Sequence, residues 1–337
     1  MNFFSPKIGI DLGTVNCLVC NDQKEILLNE PSIVAIIKET QEIMAVGKDA
    51  LEMLGKTPEN IEAIRPLFNG AIANYTITEQ MLAYFITSSL GRVRIIKPDV
   101  AVSIPSGSTS VEYRAVLDAL NSAGAKNGYL VPESLAAAIG AELPVFSPTG
   151  NMIVNSGGGT TEVAVVSLGG LVSYNSVRTA GNKLDDSIVN YIRKKHNLLI
   201  GPSTAEKIKI KIGSAVKVTE NKQKNVQVRG RDNASGMPKN IVFTTNEVVE
   251  AIEIPLKEMI NGIKSVLENT SPELSSDILD KGMVLSGGTA LLPGLDDYIT
   301  QSTGIPAIKA EEPLYCVING LGIILNNLKY FERSLIK

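Results

Sequence analysis

Short apolar runs that end in glycine and threonine recur along the chain. The first is Ile8–Thr14, the second is Met152–Thr161, which continues into the strand-like run Glu162–Val166, and the third is Met283–Thr289. Apolar runs of this length, bounded by turn residues, are typical of buried strands. We therefore predict a β-hairpin at each of the first two sites and, at the third, a strand that opens into a glycine turn.

The stretches between these strands repeat their apolar residues with helical spacing. The predicted helices are Val111–Ala123, Glu133–Ala141, Asn182–His196, Thr204–Ile212, Asn246–Glu268 and Leu314–Tyr330. Pro255 lies inside the fifth helix and removes one backbone donor, so we expect a bend there. The polar segment Thr219–Lys239 contains turn signals at Gly230 and Gly236 and is typical of a peripheral β-rich subdomain. The alternation of strands and helices predicts the α/β class.

The composition fits a folded protein with two lobes. The chain has 337 residues, of which 44% are apolar and 20% charged, and this balance excludes disorder and fibrous repeats. With 32 basic and 35 acidic residues the net charge is -3, so we expect no nucleic-acid partner. No apolar run approaches the length of a spanning helix, and Met1–Lys7 is too short for a secretory signal. The expected location is therefore the cytoplasm.

The histidine and cysteine content excludes several catalytic schemes. His196 is the single histidine and ends a predicted helix, where a cation is ordinary, so Ser–His and Cys–His mechanisms are not expected. Cys17 and Cys20 have the spacing of a metal-binding pair, but residues three apart on a strand point to opposite faces. We predict buried free thiols at both positions.

The glycine-rich turns are candidate phosphate-binding sites, because glycine lets the backbone approach a ligand and leaves N–H groups pointing outward. Asp11 ends the first strand, and a carboxylate beside such a turn is suited to hold Mg²⁺ through water. Two such hairpins that face each other across a cleft can bind a polyphosphate from both sides. Ala50–Thr57 fits a relaxed P-loop pattern, but it lacks a preceding strand and Pro58 follows it, so we reject it.

The chain resembles the actin-like ATPases, and most closely the bacterial cytoskeletal MreB family, because it combines Asp11-Leu12-Gly13-Thr14 with Gly157–Thr161. The matching motifs cover nearly the whole chain and are Ile8–Asn16, Asn29–Ser32, Ala63–Pro66, Gly70–Tyr75, Ala136–Gly140, Gly150–Ser167, Thr204–Glu206, Leu285–Leu295 and Glu311–Leu314. The resemblance implies an α/β fold with two lobes, each a mixed sheet flanked by helices plus a smaller outer subdomain. It also implies a filament-forming ATPase that helps to determine cell shape.

The resemblance further implies four subdomains around a nucleotide cleft. Subdomain IA is expected to hold residues 1–31, 67–143 and 314–337, and subdomain IB residues 32–66. Subdomain IIA is expected to hold residues 144–180 and 246–313, and subdomain IIB residues 181–245.

ATP and Mg²⁺ are the cofactors that the resemblance implies. The residues that it places against the nucleotide are Gly13, Thr14, Val15, Asn16, Gly157, Gly158, Gly159, Thr160, Glu206, Lys209, Gly287, Gly288 and Thr289. Gly13, Thr14 and Asn16 are expected to meet the β- and γ-phosphates from one side, and residues 157–160 from the other. Glu206 and Lys209 are expected to hold the ribose, and Gly287 with Gly288 is expected to pack against the adenosine. Asp11 and Asn155 are expected to hold the metal through water.

Hydrolysis in this family requires a positioned water, a metal and a cradle of donors. Glu133 matches the acid that orients the water, and Thr160 matches its polar partner. Asn155 departs from the family pattern, which usually has Asp there, and loss of such an electrostatic group can cost on the order of 10²–10³ in rate. Thr289 also replaces a glycine, and Asn182 stands where Asp is usual. We therefore expect nucleotide binding with slow hydrolysis.

Two other functions fit the same superfold. A small-molecule kinase is expected to carry larger lobe insertions, and the segment between Pro31 and Asn74 is short. A chaperone-like ATPase requires a substrate-binding domain, which we do not find after residue 330. The partners that we expect are other copies of this chain, an anionic membrane surface, and paralogous or accessory cytoskeletal proteins.

A membrane contact is predicted in the loop Gly91–Pro98. Ile95 and Ile96 are adjacent large apolar residues flanked by three cations, a pattern suited to an anionic bilayer surface. The matching loop of the family carries a similar apolar pair, which implies a peripheral location at the inner face of the cell membrane. In the alternative interpretation the two isoleucines begin the strand Val100–Ile104 and are buried.

Overall fold

The structure is a computed structural model that describes residues 5–68, 71–72, 74–91, 96–331 and 335. In chain order its strands are β1 (Lys7–Leu12), β2 (Asn16–Asn21), β3 (Ile26–Pro31), β4 (Val34–Ile37), β5 (Ile43–Val46), β6 (Ile61–Ile64), β7 (Leu67–Phe68), β8 (Ala71–Ile72), β9 (Asp99–Ile104), β10 (Asn127–Pro132), β11 (Asn151–Ser156), β12 (Thr161–Ser167), β13 (Gly170–Val177), β14 (Leu198–Leu199), β15 (Asn225–Asp232), β16 (Pro238–Thr244), β17 (Met283–Ser286) and β18 (Ala307–Lys309). Its helices are α1 (Lys48–Met53), α2 (Tyr75–Leu90), α3 (Ser110–Ser122), α4 (Glu133–Gly140), α5 (Gly181–His196), α6 (Pro202–Ile212), α7 (Thr245–Glu268), α8 (Pro272–Lys281), α9 (Leu295–Thr303), α10 (Cys316–Asn326) and α11 (Leu328–Phe331).

Two five-stranded mixed sheets form the centres of the two lobes. In the first sheet the strand order is β10-β9-β1-β2-β3, and β1 is antiparallel to β2 but parallel to β9. In the second sheet the order is β13-β12-β11-β17-β18, and β11 is antiparallel to β12 but parallel to β17. The antiparallel pairs β1–β2 and β11–β12 are the two hairpins that the sequence predicts, so that prediction is confirmed.

Helices α4 and α10 lie between the two sheets and form one apolar cluster with residues of both. They cross at glycines: a Cβ on Gly140 would lie 1.8 Å from the Cys316 carbonyl oxygen, and one on Gly320 would lie 1.9 Å from that of Ala136. No side chain fits at such a crossing, so glycine allows the two backbones to touch. This contact fixes helix α4, whose first residue is Glu133.

The outer face of each large sheet is covered by further helices. Helices α2 and α3 pack on the first sheet, and α5, α7 and α9 share a cluster with the second. Two three-stranded sheets, β5-β4-β6 and β14-β15-β16, are separate from the two large sheets. Each sheet falls within one predicted subdomain, but the subdomain boundaries themselves stay a prediction.

Most predicted elements agree with the structure to within two residues at each end. The single helix Leu314–Tyr330 is wrong, because α10 ends at Asn326 and α11 begins at Leu328. Asn327 lies between them, and its side-chain amide donates to the carbonyl oxygen of Ile323 over 2.9 Å. A local side-chain bond of this kind competes with the helical pattern. Helix α7 continues through Pro255 without interruption.

Two sequence-based exclusions are confirmed. Cys17 and Cys20 are buried in different apolar clusters, on opposite faces of β2. The rejected P-loop segment overlaps α1, and Gly55 follows the helix end with a φ of 72°, so no strand leads into a phosphate-binding turn.

Within the described ranges, no helix combines the length and the apolar character that crossing a bilayer requires.

Candidate functional site

A cleft of about 460 Å³ is lined by residues from both lobes. It brings together every residue predicted for the nucleotide, the metal or catalysis, which are Asp11, Gly13, Thr14, Val15, Asn16, Glu133, Asn155, Gly157, Gly158, Gly159, Thr160, Glu206, Lys209, Gly287, Gly288 and Thr289. A second cavity of about 380 Å³, beside Phe146 and Phe331, is lined by none of these residues. The cleft is therefore the candidate functional site.

The turns of the two hairpins meet across the cleft. A Cβ on Gly158 would lie 2.1 Å from Val15 Cγ2, and a Cβ on Gly159 would lie 2.6 Å from Thr14 Oγ1. Glycine at these positions permits this close approach of the two loops. A negatively charged polyphosphate that enters between them meets backbone from both lobes.

Phosphate loop one, residues 13–16, is held from outside by two polar side chains. Ser32 Oγ donates to the carbonyl oxygen of Gly13 over 2.5 Å. Arg65 Nη1 donates to the carbonyl oxygens of Thr14 and Val15 over 3.2 and 3.1 Å. Arg65 belongs to the motif Ala63–Pro66, but the sequence alone indicates no role for it. Because its guanidinium binds the carbonyl side of the turn, it orients this loop.

Phosphate loop two, residues 157–160, is fixed by neighbouring elements of its own lobe. The N–H groups of Gly181 and Asn182 at the start of α5 donate to the carbonyl oxygens of Gly157 and Gly158 over 3.1 and 2.8 Å. Thr289 Oγ1 donates to the same Gly157 oxygen over 2.8 Å. Thr289 therefore ties the predicted adenosine motif to phosphate loop two.

Three carboxyl groups, from Asp11, Glu133 and Glu162, lie together beneath the loops. Burial raises the pKa of Asp11 to about 6, although Ser103 Oγ donates to its Oδ1 over 2.7 Å. Burial also raises the pKa of Glu133 well above its usual range, and the charges of Glu162 and Asp11 raise it further. Glu162 is fully buried, which raises its own pKa as well. Glu162 was not predictable as part of this group, because in the sequence it stands at the start of an apolar strand.

Asn155 lies beside this group of acids and uses both ends of its amide. Its Nδ2 donates to Glu133 Oε1 over 2.8 Å, and its Oδ1 accepts from Ser286 Oγ over 2.8 Å. These two bonds fix the orientation of the amide, since only the nitrogen can donate to the carboxylate. Asn155 thus links the second lobe to the first residue of α4 in the first lobe.

Lys209 of the predicted ribose pair forms an ion pair with the buried Asp185, which the sequence did not reveal. Lys209 Nζ donates to Asp185 Oδ2 over 2.8 Å and to the carbonyl oxygen of Gly181 over 2.9 Å. Burial raises the pKa of Asp185 to about 6, although Lys209 opposes that shift. Glu206 also lines the cleft. Burial lowers the pKa of the Arg65 guanidinium, and the nearby charge of Glu206 opposes that shift.

The predicted adenosine motif lies next to phosphate loop two. Gly287 has a φ of 83°, and a Cβ there would lie 2.2 Å from the carbonyl oxygen of Ser156, so the position requires glycine. Gly288 begins a short 3₁₀ turn that extends to Leu291. The apolar side chains of Leu291, Leu292, Pro293 and Leu314 complete this part of the lining.

The predicted membrane loop is described only in part. Ile95, with Arg92, Val93 and Arg94, lies outside the described residues. Ile96 is half-buried in a bend, and the next strand begins at Asp99. Ile96 therefore does not begin the strand, contrary to the alternative interpretation.

The same chain matches known proteins along its length. The sequence profile of the MreB/Mbl protein family matches residues 5–333. The cell shape-determining protein Mbl of Bacillus cereus is 44% identical over 334 residues, 99% of this chain and 100% of that protein. The cell shape-determining protein MreB of Escherichia coli is 46% identical over 327 residues, 95% and 93% of the two chains. The crystal structure of MreB 5 of Spiroplasma citri bound to AMPPNP has a TM-score of 0.91 and 35% identity, and covers 98% of both chains. The predicted two-lobed actin-like fold is thus confirmed, and the chain belongs to the MreB/Mbl protein family.

Proposed function

We propose that this protein binds Mg-ATP in the cleft, polymerises into membrane-associated filaments and helps to determine cell shape. The observation that carries the proposal is the contact of Gly158 and Gly159 with Val15 and Thr14, where one glycine-rich turn from each lobe closes on the other. The AMPPNP bound to the similar Spiroplasma citri protein and the cell-shape role of the relatives support it.

The donor set of the cleft fits a metal that arrives with the nucleotide. In the described part of the chain, no group of three or more His, Cys, Asp and Glu side chains could hold a metal ion. Mg²⁺ in nucleotide sites keeps several waters and takes its other ligands from phosphates and one or two carboxylates. Asp11 fits this role, because it lines the cleft and Ser103 fixes its carboxylate. Asn155 fits it less well, because Ser286 and Glu133 already occupy its amide.

We assign the positioning of the attacking water to Glu133 and Thr160. Bound Mg²⁺ neutralises charge on the phosphates, and the chain must then hold and deprotonate a water. Burial raises the pKa of Glu133 above the usual range of a carboxyl group, which makes its carboxylate a stronger base for a water proton. Thr160 lines the same cleft and is itself buried. Because an amide stands at position 155, we expect slow hydrolysis that regulates the filament rather than rapid turnover.

Self-assembly and membrane attachment rest on family membership. Copies of this chain are the first partner that we propose, and paralogous or accessory cytoskeletal proteins are further partners. An anionic membrane surface at the inner face of the cell membrane is the proposed site of the filament. A contact of two isoleucines is weak, so many copies in one filament are needed for stable attachment.

A matched pair of glycine variants tests the nucleotide site. A Cβ on Gly13 would lie 2.5 Å from the carbonyl oxygen of Asn16, whereas a Cβ on Gly201 would meet nothing within 4 Å. We expect Gly13→Ala to weaken ATP binding by roughly tenfold or more, since the loop must move, and Gly201→Ala to leave it unchanged. Fluorescent ATP titration measures the affinity, and sedimentation with and without Mg-ATP measures polymer.

The same preparation separates the proposal from the kinase alternative. Family membership does not favour a small-molecule kinase. Phosphate and ADP release are measured with and without a panel of sugars. Polymer that sediments with Mg-ATP supports the filament proposal, and ADP production that requires a sugar contradicts it.

A further inference from the structure

Glu162 is a buried acid to which the proposed chemistry gives no role. It lies on β12, directly opposite Asn155 of β11, and is fully buried. It is not among the residues that line the cleft. A buried carboxylate is costly unless hydrogen bonds satisfy it, so its partners indicate what it does.

Two partners hold the carboxylate, and they belong to different lobes. Ser176 of β13, in the second lobe, donates its hydroxyl to Oε1. The backbone N–H of Ser106, in the segment that follows β9 of the first lobe, donates to Oε2 over 2.9 Å. The side chain of Glu162 therefore bridges the two lobes beneath the cleft.

The bridge continues to the helix that carries Glu133. The hydroxyl oxygens of Ser106 and Ser134 lie 2.5 Å apart, and Ser134 is the second residue of α4. All three residues are buried, so water does not substitute for a lost bond at this place. If the angle between the lobes changes, Ser106 moves relative to Glu162 together with Ser134 and the start of α4, because these contacts link them.

We propose that Glu162 is a positioning residue that couples the closure of the two lobes to the placement of Glu133. The inference rests on the proposed function, since it assumes that Glu133 positions a water in an ATP site. It predicts that nucleotide-driven closure and hydrolysis depend on the acceptor oxygen that meets the Ser106 N–H. A purely structural acid would instead affect stability alone.

Four variants separate these roles. Glu162→Ala removes the acceptor, Glu162→Gln keeps a carbonyl oxygen for the Ser106 N–H, and Ser176→Ala removes one bond but keeps the carboxylate. Ser173→Ala is the matched control, because Ser173 lies on the same strand but donates to the Val266 oxygen, within the second lobe. Ser176→Ala keeps the test available if Glu162→Ala does not fold.

The first readout is kinetic. We expect Glu162→Ala to slow phosphate release by about 10-fold to 100-fold, the usual cost of a small misplacement at a catalytic centre. ATP affinity should stay within about threefold, since the loops that bind phosphate are intact. Ser176→Ala should show a smaller loss, and Glu162→Gln should restore most of the rate.

The second readout is closure, measured as the distance between spin labels at Glu39→Cys and Ala234→Cys below the concentration at which polymer sediments. Both positions are exposed, in the two outer subdomains, whereas Cys17, Cys20 and Cys316 are buried and should not label. We expect ATP to shorten this distance in wild type and in Ser173→Ala, and to change it less in Ser176→Ala and least in Glu162→Ala.

The outcomes distinguish the inference from the function on which it rests. If wild type neither binds ATP nor releases phosphate, the proposed function fails. If wild type is active and Ser176→Ala and every folded Glu162 variant match Ser173→Ala in rate and closure, the coupling role is overturned. Equal loss in Glu162→Ala and Glu162→Gln also overturns it, because the acceptor oxygen would then be irrelevant.

Discussion

The side-chain amide of Asn155 donates a hydrogen bond from Nδ2 to Oε1 of Glu133 over 2.8 Å. Asn155, which is proposed to lie on the metal side of the site, therefore contacts the proposed water-positioning acid. An aspartate at this place would put a second carboxylate against a buried one, and two such groups cannot both ionise without a cation nearby. Asn155 thus stabilises Glu133 through a hydrogen bond when no Mg²⁺ is bound. The amide carries no negative charge, however, so it contributes less than a carboxylate to holding a metal.

Asn155→Asp tests this exchange. With saturating Mg-ATP we expect phosphate release to rise, on the order of tenfold, because the restored carboxylate helps to hold the metal and polarise water. Without Mg²⁺ we expect a lower melting temperature, because the carboxylate repels Glu133. Ser286→Ala is the control, since it frees the amide that Ser286 orients but adds no charge. Hydrolysis that is slower or unchanged in Asn155→Asp would show that the charge argument is wrong.

Glu133→Ala should remove most hydrolysis while ATP affinity stays within a few-fold. The side chain acts on the attacking water, so its loss affects the transition state more than the ground state. Phosphate release and ATP titration on the same protein measure both quantities, and we expect a loss of roughly 10²-fold in rate. Glu133→Gln keeps the shape and an acceptor for Asn155, so it should be as slow if the carboxylate is essential. A large drop in affinity with normal turnover would contradict the assignment.

The local features of the site were predictable because they lie in continuous sequence. Gly13 and the run Gly157–Gly159 follow apolar strands, and that pattern predicts a hairpin turn close to a ligand without knowledge of what packs against it. The strand register then placed Asp11 and Asn155 at the ends of β1 and β11, near the turns.

The partners of these residues were not predictable, because folding brings them from distant segments. The bridge from Glu162 to Ser106 joins residues 56 positions apart, and the bond from Ser286 to Asn155 joins residues 131 apart. Asp185 reads as one of several charges on an amphipathic helix, and only the packing of α5 against α6 makes it the partner of Lys209. The sequence pattern thus indicated which segments line the cleft, but not which contacts hold them in place.

The buried pair of Asp185 and Lys209 predicts a dependence of stability on pH. Burial raises the pKa of Asp185 from its ordinary 3.8 to about 6, so the folded state binds a proton that the unfolded state releases between these values. The contribution of Asp185 to the free energy of unfolding should therefore fall as the pH rises from about 4 to about 6. Urea unfolding of the nucleotide-free protein across this range measures it.

Asp185→Asn is the matched variant for that measurement, because it keeps the shape and an acceptor for Lys209 but does not titrate. As the pH rises, the unfolding free energy of wild type should fall relative to that of Asp185→Asn. Asp186→Asn is the control, since Asp186 is exposed on the same helix. A constant difference between wild type and Asp185→Asn across the range would show that the carboxyl group keeps its ordinary pKa.

The last prediction concerns the membrane and uses Ile96, the described member of the predicted pair. Ile96 is half-buried, and the exposed Lys97 follows it. This arrangement suits a bilayer surface, where the isoleucine contacts the acyl chains and the lysine contacts anionic headgroups. We expect wild type to co-sediment with anionic liposomes under polymerising conditions, and Ile95→Ser/Ile96→Ser to lose most of this binding while it still forms polymer. Ile254→Ser/Ile308→Ser is the matched control, because both of these isoleucines are exposed in the second lobe, with 72% and 58% of their surface accessible. Attachment should also disappear below the polymerisation threshold, since one copy binds weakly and a filament presents many. If the loop variant folds, polymerises and binds lipid as well as the control does, another surface attaches the filament. If the loop variant unfolds while the control does not, the two isoleucines belong to the core of the first lobe.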